Sequence, residues 1–239
     1  MLPCAILCGG LATRLRPITE KIPKSLIPIN GEPFIAHQLR LLRSRGITRV
    51  VLCVGHLGQM IQEFVGCGKP FGMDVCYSFD GQQLLGTAGA IRKALPLLDT
   101  EFFALYGDSY LPCDYQAIAS AFRRSGRQGL MTIYRNDGRF DTSNVEAKNG
   151  LIARYDKRNR IPSMRHIDYG IGVFAESVFK EVPENEFRDL AEIYQHLLAS
   201  GDLAAYEIES RFYEIGSEQG IRDLEGYLAQ QSSGADPGN

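Results

Sequence analysis

No run of apolar residues in this sequence approaches the ~20 needed to cross a bilayer as a helix. The opening MLPCAILCGG lacks the basic n-region and small-residue cleavage site of a secretory leader. Neither sign of charge is in excess: 26 Lys and Arg stand against 28 Asp and Glu, a formal charge of −2, without the basic surplus that marks nucleic-acid binders. No two cysteines make a CxxC pair, and His37, His56, His166 and His196 show no zinc-ligand spacing. Cysteines 4, 8, 53, 67, 76 and 113 are therefore expected to be reduced core thiols, Cys4 and Cys8 in one apolar run and Cys53 inside VVLCV. These absences predict a soluble, cytoplasmic protein with neither a nucleic acid nor a membrane as partner.

The 239 residues are 44% hydrophobic and 23% charged, an ordinary globular composition, and they suffice to bury a core without disulfides or a structural metal. The first half alternates two periodicities. Short apolar runs (PCAILC, TRVVLCV, MDVCYS, EFFALYG, GLMTIYR) read as strands. Between them lie helical stripes, with Ile35, Leu39 and Leu42 in one, Leu57, Ile61 and Phe64 in the next, then Ile91, Leu95 and Leu98, and a further helix over 115–124. Strands alternating with amphipathic helices imply right-handed crossovers and a largely parallel sheet covered on both faces.

The second half is less regular. SNVEAKNGLIARYDK reads as two strands joined by Asn149-Gly150, a tight-turn dipeptide. HIDYGIGVFAESVF reads as a strand entering a short helix, FRDLAEIYQHLLAS as a helix, LAAYEIES and RFYEIG as strands, and EQGIRDLEGYLAQQ as a closing helix. The expected fold is an α/β three-layer sandwich of Rossmann-like kind, its mixed sheet largely parallel and extended by a hairpin-containing insertion. One domain is expected over 1–230, divided near residue 135, with a polar, frayed tail at 231–239.

The chemistry concentrates in Leu7–Pro28, LCGGLATRLRPITEKIPKSLIP. A strand runs into Gly9 and Gly10, which let backbone N–H groups approach an anion. Arg14 and Arg16 can neutralise phosphates, and Lys24 can reach in from the far end of the loop. The stretch is neither a GxxxxGK[ST] P-loop nor a GxGxxG dinucleotide loop. A solvated basic loop would explain a glycine pair and an arginine alone, but the prolines at 17, 23 and 28 constrain this one.

At these residues the chain resembles the sugar-1-phosphate nucleotidyltransferases, whose signature reads GGxGTRLxPxTxxxPKxLxP. Gly9, Gly10, Thr13, Arg14, Leu15, Pro17, Thr19, Pro23, Lys24, Leu26 and Pro28 match it, and Ala12 replaces the third glycine. LGTAGA at Leu85–Ala90, Gly107-Asp108, and YEIG at Tyr213–Gly216, similar to a late DxG motif, follow in the family's order. The wording of YGDSYL, and of SNV followed by YDK, is closest to bacterial enzymes acting on heptose 1-phosphate, with muramate-1-phosphate uridylyltransferases next.

The resemblance implies an enzyme in which a sugar 1-phosphate oxygen attacks the α-phosphorus of a nucleoside triphosphate, releasing pyrophosphate and an NDP-sugar. It implies Arg14 and Lys24 as catalytic residues. Leu7, Gly9, Gly10, Leu11, Ala12, Thr13, Gln82, Gly86, Thr87 and Ala88 would bind nucleotide, with the Thr87 hydroxyl capping the helix it begins. Tyr106, Gly107, Asn144, Asp156, Lys157, Asp168, Tyr169 and Gly170 would bind the sugar phosphate. Asp156 is one methylene shorter than the family's usual glutamate, and Lys157 also reads as a solvated loop cation. Asp108 and Glu214 would hold Mg²⁺, with Mn²⁺ as a substitute, Glu214 standing where relatives carry aspartate. A monomer or a homo-oligomer is compatible with all of this. Two other readings stay open: a non-catalytic, ligand-sensing relative, suggested by Ala12 and Glu214, and an unrelated nucleotide-dependent α/β protein such as a dehydrogenase.

Overall fold

The computed structural model describes residues 1–148 and 150–233. Its elements run β1 (Cys4–Leu7), β2 (Pro28–Ile29), β3 (Glu32–Pro33), α1 (Phe34–Ser44), β4 (Arg49–Val54), α2 (Gly58–Val65), β5 (Asp74–Phe79), α3 (Gly86–Ala94), β6 (Glu101–Tyr106), β7 (Ser109–Tyr110) and α4 (Tyr115–Ser125). They continue through β8 (Gly129–Arg135), β9 (Val145–Lys148), β10 (Leu151–Tyr155), β11 (His166–Ala175), α5 (Ser177–Lys180), α6 (Leu190–Ala199), β12 (Leu203–Ile208), β13 (Tyr213–Glu214) and α7 (Glu218–Ser233).

The main sheet follows the path β5-β4-β1-β6-β11-β8-β12, in which only β11 runs against the others. The β9–β10 hairpin joins it through His166 of β11 opposite Val145, making nine strands. Asn149, expected at the hairpin turn, lies outside the described residues.

Strand alternation sorts the side chains into two layers, as a sheet buried on both faces requires. Cys4, Ile6, Phe103 and Leu105 face α1, α2 and α4, whose Ile35, Leu39, Ile61 and Phe122 complete that core. Ala5, Phe102 and Ala104 face α3, α5 and α6, packing with Ile91, Phe179 and Tyr194. The expected three-layer arrangement is the observed one.

Three local expectations change. RFYEIG forms no long strand: only Tyr213 and Glu214 pair, with Tyr110 and Ser109, in a two-stranded ladder off the main sheet. A smaller core of Ile29, Phe34, Leu41, Tyr110, Ile215 and Leu224 supports that ladder. The closing helix α7 runs to Ser233, so the expected tail begins as helix, and 234–239 lie outside the described residues. Cys67 and Cys76 are exposed rather than core thiols, Cys76 because it points outward from the edge strand β5. The other four cysteines are buried as expected, and burial pushes the Cys8 thiol up to about 12.

Among the described residues no helix is long and apolar enough to cross a membrane.

Candidate active site

β1, β4, β5, β6, β8 and β12 all end at one edge of the sheet, where open α/β sheets bind ligands. A cavity of about 540 Å³ opens there, lined by the glycine loop, Lys24, the Tyr106–Asp108 turn and the start of α3.

The glycine loop leaves β1 anchored on both sides: Cys8 N–H donates to Cys53 O at 2.8 Å, and Gly107 N–H donates to Leu7 O at 3.1 Å. Ala12 then takes a left-handed backbone conformation, φ 46° and ψ 45°, before the turn Thr13–Leu15. The buried Thr19 hydroxyl donates to Ala12 O at 2.9 Å and holds that turn in place. A residue with a Cβ costs about 1–2 kcal/mol in this conformation. Ala12→Gly is therefore expected to raise Tm by about 2–4 °C, measured by scanning calorimetry, the shift that ~1 kcal/mol gives in a chain of this size. An unchanged or lower Tm would show that Ala12 bears no strain.

Arg14, Lys24, Asp108 and Glu214 meet where the sequence alone could not bring them. Lys24 Nζ pairs with Asp108 Oδ2 at 2.6 Å. The small ladder sets Glu214 opposite Ser109, and Ile215 N–H donates to Asp108 O at 3.0 Å, so the two acidic positions become neighbours. Glu214 folds back, accepting from Gly216 N–H and, at 2.9 Å, from the Ser217 hydroxyl. Gly216 leaves the space between them: a Cβ there would lie 3.0 Å from Lys24 Nζ and 3.4 Å from Arg14 Nη2, and would collide with the Glu214 carboxylate. Arg14 is exposed and has no ion-pair partner among the described residues, so its guanidinium fork is free for an anion. No group of three or more His, Cys, Asp or Glu suited to a metal occurs among the described residues.

A second cluster backs the cavity wall at Tyr106. Lys157 Nζ donates to Tyr106 Oη at 3.1 Å. Asp168 accepts from Tyr155 Oη at 3.4 Å and from Gly170 N–H at 3.1 Å. Burial pushes the Asp168 carboxyl up, against the opposing pull of Lys157.

Of the residues expected to bind ligand, Leu7, Gly9–Arg14, Lys24, Gly86, Thr87, Tyr106, Gly107 and Asp108 line the cavity. Others do other work. Gln82 is exposed outside it. Ala88 is fully buried, its N–H spent on Arg188 O at 2.9 Å. Asp156 Oδ1 accepts from Arg158 and Asn159 N–H at 2.8 Å each, forming a local turn, and those amides hold its carboxyl below the usual range. Asn144 is buried and fastens strands, its Oδ1 accepting from Asp168 N–H at 2.9 Å. Tyr169 points into the opposite core layer, against Tyr134 and Phe212.

Thr87 does not cap its own helix. α3 begins at Gly86 without a side-chain cap, and the Arg188 carbonyl takes its early N–H groups instead. The Thr87 hydroxyl accepts from Leu190 N–H at 2.6 Å, capping α6 across the cavity wall beside Asp189. Asp189, Asp80 and Phe187 line the cavity without having been singled out in the sequence. The first was readable, because Asp189 and Glu192 form a capping box with the spacing typical of a helix start.

The model of the family described as Nucleotidyl transferase matches residues 4–225. A UTP–glucose-1-phosphate uridylyltransferase of Synechocystis sp. is 29% identical over 229 residues, covering 88% of this chain and 59% of that protein. The chain thus spans well under two thirds of that relative's length. A D-glycero-alpha-D-manno-heptose 1-phosphate guanylyltransferase of Campylobacter jejuni is 29% identical over 212 residues, covering 88% of this chain and 93% of that protein. Among solved structures, HddC from Yersinia pseudotuberculosis complexed with GMP-PN superposes with a TM-score of 0.80 at 20% identity, covering 95% of this chain and all of that one; the likeness is one of fold.

Proposed function

The chain belongs to the nucleotidyl transferase family, and from that premise we propose that it transfers a nucleoside monophosphate from an NTP to a sugar 1-phosphate, releasing pyrophosphate. The observation that carries this reading is the convergence of Arg14 and Lys24 on Gly216, beside a glycine loop with open backbone. Phosphoryl transfer spreads charge over phosphate oxygens, so it needs fixed cations and in-line positioning more than a covalent nucleophile. Arg14, with its planar guanidinium fork, would take the β- and γ-phosphates with the Gly10–Thr13 amides. Lys24 would exchange its Asp108 contact for the α-phosphate. Lys157, steered by Tyr106 and Asp168, would hold the sugar phosphate.

Mg²⁺ fits the donors present. It commonly takes one or two carboxylates and completes its octahedron with phosphate oxygens and water, and the ladder brings two carboxylate-bearing residues, Asp108 and Glu214, side by side. When bound, the ion would neutralise phosphate charge. A role in bacterial surface-polysaccharide or cell-wall sugar metabolism follows from the sequence resemblance to heptose and muramate enzymes.

The test is pyrophosphate release over ATP, CTP, GTP and UTP, each against hexose and heptose 1-phosphates, with Mg²⁺. Release that requires both substrates supports transfer; none across the whole matrix defeats it. Within a productive pair, Arg14→Lys keeps the charge and loses the bidentate fork. It should raise KM for the nucleotide by about tenfold, the worth of one charge-assisted contact, and move KM for the sugar phosphate much less. The opposite split would reverse the two subsites.

A further inference from the structure

Along α1, Phe34, Gln38 and Leu41 stand at steps of four and three, which places them on one stripe of the helix. Phe34 and Leu41 pack in the small core beneath the β7–β13 ladder. The helical period therefore asks for an apolar residue at 38, and the sequence has glutamine. Gln38 is 1% exposed and lies outside the cavity lining.

Its amide is committed. Nε2 donates to Ser109 O at 2.7 Å and to Tyr106 O at 3.3 Å, the carbonyls on either side of Gly107-Asp108. Oε1 is buried with no hydrogen-bond partner among the described residues. Exchanging the two amide atoms would turn an acceptor toward two carbonyls, so these contacts fix which way the amide points. An orphaned buried acceptor costs stability that an apolar side chain at the same place would not cost. The stripe thus carries a residue that weakens the core locally, and what that residue holds is one turn.

The turn is held at every carbonyl. The Ser25 hydroxyl donates to Gly107 O at 3.5 Å, and Ile215 N–H donates to Asp108 O at 3.0 Å. With the two Gln38 contacts, all four carbonyls from Tyr106 to Ser109 are taken, by three separate segments. Gly107 is also pressed onto β1, since a Cβ there would lie 2.5 Å from Leu7 O. From this turn the Asp108 carboxylate meets Lys24 at 2.6 Å. A misplacement of about 1 Å near reacting groups can cost ~100-fold in rate, so the place of this turn bears on the chemistry. We propose that Gln38 is a positioning residue for the transfer reaction: its side-chain amide clamps the Tyr106–Ser109 turn and so sets Asp108 against Lys24. The inference rests on the transfer reading above and extends it to a residue that touches no substrate.

The test compares the unmodified chain with Gln38→Met, Gln38→Asn and Ile35→Val, by hydrogen exchange and by steady-state kinetics on a productive substrate pair. Methionine fills a similar volume and suits the apolar stripe, but it donates to neither carbonyl. Amides of the 106–110 segment should exchange at least ~10-fold faster in Gln38→Met, the scale of two lost hydrogen bonds. Its kcat and kcat/KM should fall together by roughly 10- to 100-fold, the signature of an interaction felt in the transition state rather than in binding. Asparagine keeps the amide on a stem one methylene shorter, so it reaches one carbonyl and should fall between. It decides the matter if Gln38→Met does not fold. Ile35→Val truncates a buried side chain in the other core under α1, so it should lower Tm and leave both readouts near the unmodified values. Unchanged exchange at 106–110 in Gln38→Met would overturn the clamp. Faster exchange with normal kcat, or a rise in KM alone, would overturn the positioning role. An equal loss of kcat in Ile35→Val would reduce the effect to general instability and overturn it too. If the unmodified chain releases no pyrophosphate from any substrate pair, the transfer reading fails, and the exchange measurement still decides whether Gln38 holds the turn.

Discussion

Lys24→Ala is expected to lower kcat by at least ~100-fold, the scale seen when one preorganised electrostatic partner is removed. The lysine sits at the start of the short turn Lys24–Leu26, its side chain 15% exposed, and among the described residues its ion-pair partner is Asp108. That arrangement keeps the ammonium desolvated and aimed before substrate arrives, which is what makes a cation effective on developing charge. The truncation also leaves Asp108 without its partner, so a second variant is needed to separate the effects. Lys24→Arg retains a positive charge near Asp108 and should keep more turnover than Lys24→Ala. Tm should fall little in either, since the neighbouring buried Ser25, whose hydroxyl donates to Gly107 O at 3.5 Å, still supports the Tyr106–Asp108 turn. A folded Lys24→Ala protein turning over at near-normal rate would remove Lys24 from the chemistry.

Much of this molecule is legible in its sequence for a physical reason: apolar spacing and burial are the same fact. Ile35, Leu39 and Leu42 are fully buried, and the runs around Ile6, Leu52 and Phe103 became central strands. The glycine loop was legible because its chemistry is contiguous, from Gly9 to Lys24. What escaped depends on contacts between distant segments. A two-residue strand has no period, so the ladder that joins Glu214 to Ser109 left no pattern to read. Thr87 is a plausible cap for its own helix in one dimension, and only the fold brings Leu190 N–H to its hydroxyl. Asp80 reads as a turn residue after a strand until Gly9 is seen against it. Tyr169 is different, since the signal was present: neighbours in a strand face opposite ways, so Asp168 and Tyr169 could not both line one pocket.

Asp108→Asn is expected to abolish turnover while nucleotide still binds weakly, and EDTA should do the same to the unmodified chain. The substitution keeps shape and removes charge, so it separates a metal ligand from a packing residue. Asp108 is positioned by its own backbone, through Ile215 N–H to its carbonyl, and by Lys24 on its carboxylate. An asparagine leaves the first contact intact, so the loop should hold. Mg²⁺ is usually held by one or two carboxylates with phosphate oxygens and water, and dehydrates reluctantly; a neutral amide supplies neither the charge nor the two equivalent oxygens. Glu214 demands a finer test, because its carboxylate is already engaged by Gly216 N–H and the Ser217 hydroxyl. If those contacts merely park the side chain, Glu214→Gln retains them in part yet should lose most activity, and raising Mg²⁺ should restore some of it. Glu214→Asp keeps the charge and should remain active. If the contacts are its whole role, Glu214→Gln should turn over fully at limiting Mg²⁺ and differ only in Tm. That outcome would leave Asp108 as the sole protein ligand, with phosphate oxygens and water completing the shell.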